Sequence, residues 1–189
     1  MKYEDNQYYH VFNRGANKEK IFFGSDNYRF CLGLVDKYRK ENGVSVMAFC
    51  LMPNHYHFLT CQDKGGSISK FLQSTFNSYT QAVNIQQHRS GTLFQGRAKA
   101  KRVGDDLTAL HLVRYLHLNP VEAGIVDTPD AWEYSDYCVW CGQILPLVTD
   151  LRLRDAEFLN AATYADFVKS GQDENDRLLL HGSLFEEAQ

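Results

Sequence analysis

The chain has 189 residues, 44% hydrophobic and 13% aromatic, enough for the core of one domain with additions and short for two full domains. Residues 1–126 carry 16 Lys and Arg against 10 Asp and Glu, whereas residues 127–189 carry 4 against 13, so the formal charge of −3 is the sum of a basic body at +6 and an acidic tail at −9. DNA phosphates need local rather than total positive potential, so a nucleic-acid partner stays open. No run approaches the about 18 apolar residues of a membrane span, and residues 1–6 hold no apolar leader core, so a cytoplasmic protein without a membrane partner is expected.

The run Tyr8-Tyr9-His10-Val11-Phe12, rich in aromatic residues, predicts a first strand over 8–12, followed by a polar turn over 13–17. Asp26 is a good N-cap for a first helix, with Phe30, Leu34, Val35 and Tyr38 on its apolar face and Asn42-Gly43 as its stop. Strands over 44–51 and 56–61 are expected to pair as a hairpin across the Met52-Pro53-Asn54 corner. Gly65-Gly66-Ser67 opens a long amphipathic helix bearing Ile68, Phe71, Leu72, Thr75, Phe76, Tyr79 and Val83. Residues 92–103 read as a loop and a fourth strand. Asp105 and Asp106 cap a third helix that is expected to run to about Leu118 and end at Asn119-Pro120, because the residue before proline is pushed out of helical space.

The succession is βαββαβ plus a helix, an α+β fold with a ferredoxin-like antiparallel sheet and helices on one face, to which a C-terminal helical segment is added. The expected division is a catalytic-type domain over 1–140 and an acidic extension over 141–189. Within the weaker C-terminal signal, 132–137 reads as a packing segment. The tail is open to two roles: a brake that competes with DNA for the positive body, or a cap held by Leu159, Tyr164, Phe167 and Leu178 to Leu180. The five cysteines form no disulfide framework and fit reduced thiols, and Cys138-Val-Trp-Cys141 lacks the second pair of a zinc ribbon and reads as structural.

His55-Tyr56-His57 carries the most chemistry. Alternate residues of a strand share a face, so the two imidazoles converge on one side while Tyr56 turns to the other. That geometry offers two nitrogens to a divalent metal, or simply a polar strand face. On the third helix, Thr108, His111, Tyr115 and Asn119 recur at steps of three, four and four and form a polar stripe, flanked by Leu107, Leu110, Leu112, Val113, Leu116 and Leu118. The stripe can set a tyrosine hydroxyl and a carboxamide oxygen over the histidine-bearing sheet; equally, Tyr115 can pack and Asn119 can close the helix.

Three segments carry a resemblance: Pro53-Asn54-His55-Tyr56-His57-Phe58-Leu59, Leu93-Phe94-Gln95-Gly96-Arg97, and Arg114-Tyr115-Leu116-His117-Leu118-Asn119-Pro120-Val121-Glu122-Ala123-Gly124. In this order they resemble REP-associated tyrosine transposases, single-tyrosine members of the HUH nuclease superfamily, over roughly residues 8–140. The resemblance implies His55, His57 and Asn119 as metal ligands, Tyr115 as the nucleophile, and cleavage of single-stranded DNA at hairpin-forming palindromic repeats through a 5′-phosphotyrosine. Mixed imidazole and amide ligation suits Mn²⁺ or Mg²⁺. Arg14, Lys18, Lys20, Arg97, Lys99, Lys101 and Arg102 are the candidate contacts to single-stranded or hairpin DNA, bound by a monomer or a homodimer. Tyr79 is a rival tyrosine. A rolling-circle initiator or relaxase would share the chemistry, and a non-catalytic DNA-binding regulator would share the fold.

Overall fold

In the computed structural model, which describes residues 2–170, the strands β1 (Tyr8–Arg14), β2 (Val44–Met52), β3 (His55–Gln62) and β4 (Lys99–Val103) form one sheet in the order β2-β3-β1-β4. Every neighbouring pair is antiparallel. This is the expected ferredoxin-like arrangement. The tight corner between β2 and β3 is tied down from outside, since the Pro53 carbonyl accepts from Ile21 N at 2.8 Å and the Asn54 carbonyl from Gly15 N at 2.8 Å. β1 runs two residues beyond the expected strand, which pairs Asn13 with Tyr56 and Arg14 with His55, and Phe12 pairs with His57.

The crossover helices α1 (Ser25–Glu41) and α2 (Ile68–Gln86) pack on each other and on one face of the sheet. Tyr56 turns to this side and stacks on Phe76, with centroids 4.1 Å apart and rings almost parallel. Helix α3 (Asp106–Glu122) covers the opposite face, setting Leu112, Val113 and Leu116 against Met47, Cys50, Met52 and Leu59, so helices lie on both faces of the sheet where one was expected. Because both faces are covered, all nine residues of β2 are buried, which is why its sequence is a continuous apolar run. A register shift between Val46 and Ala48 places Met47 and Ala48 together in the core on the α3 side.

Two helix ends differ from expectation. The N-cap of α1 is Gly24, and Asp26 lies inside the first turn, where its charge still favours the helix dipole. Helix α3 passes through Pro120 to Glu122 instead of stopping before it. Pro120 removes one ladder bond near the helix end, where burial of Leu116, Asn119 and Pro120 holds the turn in place. The stop is Gly124 at φ +65°, with Ile125 N donating to Pro120 O and Gly124 N to Val121 O in a Schellman closure. A Cβ at Gly124 would meet nothing within 4 Å, so Gly124→Ala is expected to cost only the left-handed backbone penalty, about 1 kcal/mol in urea denaturation. No loss of stability would contradict this helix end.

The C-terminal part completes the same core. Residues 132–136 cover the exposed edge of β2, with Leu51 N donating to Tyr134 O at 2.8 Å and Trp132 Nε1 to Leu51 O at 3.1 Å. The helices α4 (Tyr137–Trp140), α5 (Arg152–Glu157) and α6 (Ala161–Lys169) pack behind α3 through Trp140, Leu153, Tyr164 and Val168. A buried polar chain locks this layer. Asp136 accepts from Phe49 N at 2.8 Å, His117 Nε2 at 2.9 Å and Thr149 Oγ at 2.7 Å, and His117 Nδ1 accepts from the Tyr164 hydroxyl at 2.5 Å. Phe167 lies under the Arg114 guanidinium, 4.2 Å from its ring centroid. Residues 152–169 therefore cap α3. Leu159, 96% exposed, takes no part in the cap, and Leu178 to Leu180 lie outside the described residues. Cys138 and Cys141 are half-buried free thiols.

Candidate active site

The pleat of β3 sends His55 and His57 to the α3 side, their ring centroids 5.0 Å apart. Helix α3 crosses that side with Tyr115 and Asn119 one turn apart on the face turned to the sheet. The Tyr115 ring stands edge-on to His57 at 5.9 Å, and Asn119 Oδ1 is 3.2 Å from His55 Nε2. Four side chains from two elements thus meet at one point. Asn119 is buried mid-turn, so closing the helix is not its role. The other half of the expected stripe points elsewhere: His111 contacts Arg114 Nη2 at 3.0 Å and packs against Phe167 under α6. Leu107, expected to flank the stripe as an apolar contact, is 62% exposed.

Hydrogen bonding sets the imidazole lone pairs. His55 Nδ1 is 2.7 Å from Asn54 Oδ1, and a neutral ring has one proton to give, which the shorter bond takes. His55 Nε2 then turns a lone pair toward the Asn119 carboxamide oxygen, two acceptors that a cation between them would satisfy. Among the described residues, His57 Nε2 is buried with no hydrogen-bond partner, while its Nδ1 lies 3.0 Å from His10 Nε2. Neighbouring ligands of an octahedral ion with bonds of about 2.1 Å stand about 3 Å apart, close to the observed spacing of His55 and Asn119. The residues present fit a hard divalent ion. Among the described residues no cluster of three or more His, Cys, Asp or Glu side chains has metal-holding geometry, so an ion held here would draw on the Asn119 carboxamide beside the two imidazoles.

Burial keeps these rings neutral. Desolvation brings His55 down to about 4, opposed by its Asn119 contact and helped by the Arg14 charge, and brings His10 down to about 3, with Lys101 adding to the effect. His57 is pushed well below its ordinary value by desolvation and by its two histidine neighbours. Neutral imidazoles bind metal without first releasing a proton. The Tyr115 hydroxyl is pushed up by burial and by Glu122, with a hydrogen bond from Asn119 opposing, so it is a neutral phenol in this state.

The low histidine pKa values give a pH prediction. Above pH 6.5 both folded and unfolded chains hold these rings neutral, and below it only the unfolded chain takes up protons. Stability of the metal-free protein is therefore expected to fall as pH drops from about 6.5 toward 4, by about 1.4 kcal/mol per pH unit for each histidine. Urea denaturation at pH 7 and pH 5 measures it, and His55→Ala should flatten the dependence; an unchanged slope in that variant would show that His55 is not held neutral.

A cleft of about 190 Å³ reaches the histidines from the side of β1 and β4, walled by Arg14, Gln95, Gly96, Arg97 and Lys99. Lys101 lies on the same sheet face, opposite His10. Of the seven expected cations, Arg14, Arg97, Lys99 and Lys101 thus gather at or beside the site. Arg102 does not: strand alternation turns it to the other face, where it donates to Gln7 at 2.7 Å and pairs with Glu4. Lys18 and Lys20 are exposed in the turn after β1 and do not line the cleft. Tyr79 is fully buried beyond the opposite face of the sheet, donating to Ile21 O at 2.7 Å. Sequence reasoning missed Gln95 and Gly96 as walls and His10 as a neighbour of His57; a lone histidine inside the first strand was the available signal.

The family model described as "Transposase IS200 like" matches residues 3–119, a stretch running from before β1 to Asn119. The chain belongs to the IS200-like transposase family. The structure of a REP-associated tyrosine transposase bound to a REP hairpin shares the fold of this IS200-like transposase at 16% identity, covering 81% of this chain and 93% of that one with a TM-score of 0.65. A candidate transposase from Deinococcus radiodurans R1 is more distant, at 15% identity, 58% of this chain, 88% of that chain and a TM-score of 0.43. No curated protein matches the chain. Among the described residues of the transposase, no helix is long and apolar enough to cross a membrane.

Proposed function

We propose that this transposase is a metal-dependent single-stranded DNA endonuclease and strand transferase acting beside hairpin-forming repeats, with Tyr115 as nucleophile. The observation that carries the reading is the meeting of Tyr115 and Asn119 with the His55 and His57 pair, across more than fifty residues of sequence. The hairpin held by the structural relative supports a hairpin as the substrate of this chain too.

In the proposed reaction the Tyr115 oxygen attacks a phosphodiester, a Tyr–O–P bond forms, and the P–O3′ bond breaks. The phenolic proton is lost and the 3′-oxygen departs as a hydroxyl, so no net proton is consumed. The phosphotyrosine keeps the energy of the broken ester, and a 3′-hydroxyl can rejoin without a nucleotide cofactor. His55, His57 and Asn119 would hold Mg²⁺ or Mn²⁺, which polarises the phosphate and offsets its developing charge. Arg14, Arg97 and Lys99 in the cleft, with Lys101 beside it, hold the DNA backbone, and the apolar layer around α3 keeps the nucleophile oriented.

The test is incubation of a labelled hairpin oligonucleotide bearing a single-stranded flank with the protein and Mn²⁺, followed by a denaturing gel. A cleaved strand joined to the protein is expected, and EDTA should abolish it. Tight hairpin binding with no cleavage in any divalent metal would favour the non-catalytic regulator.

A further inference from the structure

One histidine at the site has no place among the ligands. His10 lies in β1, fully buried, its ring stacked on Phe12 at 4.8 Å and beside His57 at 5.2 Å, with Phe12 and His57 themselves 6.0 Å apart. Its Nε2 stands 3.0 Å from His57 Nδ1. Two imidazole nitrogens at that distance need one donor and one acceptor. A ring that presents its Nε2 lone pair to a metal carries its proton on Nδ1, so His57 Nδ1–H donates and His10 Nε2 accepts. The antiparallel register sets this contact, because His57 pairs with Phe12 and His10 with Leu59, putting the two imidazoles diagonally on one face of adjacent strands.

We propose that His10 is a positioning residue that accepts the Nδ1 proton of His57, thereby fixing its tautomer and ring orientation so that Nε2 faces the metal. The proposal rests on the reading of His57 as a ligand. Outer partners of this kind hold a ligand against rotation and raise its basicity, and their loss commonly costs metal affinity about 10–100-fold. A histidine in this role needs no charge, which suits a position closed to water. The aromatic stack on Phe12 keeps the ring where the acceptor is required.

Calorimetric titration of Mn²⁺ into the full-length protein, without DNA, tests it on four proteins. His57→Ala should abolish binding. His10→Phe, which keeps the stack and removes the acceptor, should weaken binding about 10–100-fold, whereas His10→Gln, whose carbonyl can accept, should stay close to wild type. Wild-type affinity in His10→Phe overturns the positioning role while leaving His57 as a ligand, and equal losses in His10→Phe and His10→Gln overturn the acceptor role in favour of packing. Undiminished binding in His57→Ala removes the ligand reading and His10's role with it. Long-range ¹⁵N–¹H spectra of the wild-type metal-free protein give an answer even where a variant does not fold: a proton on His57 Nδ1 is expected, and a proton on Nε2 excludes the proposal.

Discussion

Tyr115→Phe is expected to abolish covalent attachment to hairpin DNA, lowering strand cleavage on the order of 10⁴-fold or more while DNA binding stays near the wild-type level. Only the nucleophilic oxygen is lost. The half-buried ring that meets His57 edge-on remains, so α3 keeps its seat on the sheet. Tyr79→Phe is the matching control, since its hydroxyl donates to the Ile21 carbonyl on the far side of the sheet. That variant should keep full attachment and lose about 1–2 kcal/mol of stability from an unpaired buried carbonyl. A denaturing gel in which Tyr115→Phe still forms the adduct and Tyr79→Phe does not would reverse the assignment.

The second large effect belongs to the histidine pair. His55→Ala and His57→Ala are each expected to remove metal-dependent cleavage, by on the order of 10³-fold or more, with DNA binding changed far less because the cleft cations are untouched. The two rings reach the site differently. His55 is held by Asn54 on one nitrogen and faces Asn119 with the other, whereas His57 leans on His10 and its Nε2 finds no hydrogen-bond partner among the described residues. Both are neutral, so Mn²⁺ should bind without a preceding proton loss at pH 7. Calorimetry on the double variant decides it, since unchanged Mn²⁺ binding would leave the ligands elsewhere.

The acidic third of the chain reads differently once folded. Asp136, one of its 13 acidic residues, is fully buried and bonded to His117, Thr149 and Phe49, and Tyr164 and Phe167 close over α3. Residues 152–169 thus belong to the support of the helix that carries Tyr115.

Local rules made much of the fold legible in the residues. The strand period put His55 and His57 on one face and Tyr56 on the other, apolar spacing marked α1 and α2, and Ser67 and Asp105 capped α2 and α3 as their side chains dictate. The order of elements then left few topologies, of which the ferredoxin-like sheet is one. What spacing left undecided were choices set by contacts between distant segments. Tyr115 and Tyr79 both lie on amphipathic helices with apolar flanks, and only the packing of α3 on the histidine face and α2 on the other separates them. Register between β1, β3 and β4 decided which face of each strand meets the site, bringing Arg14, Lys99, Lys101 and His10 there, after which alternation alone turned Arg102 away, because pairing across strands is not encoded by a residue's own neighbours. Helix α3 overran its proline for the same reason: burial of Leu116, Asn119 and Pro120 outweighs one missing hydrogen bond, and that burial exists only after the sheet and the C-terminal cap have assembled around it.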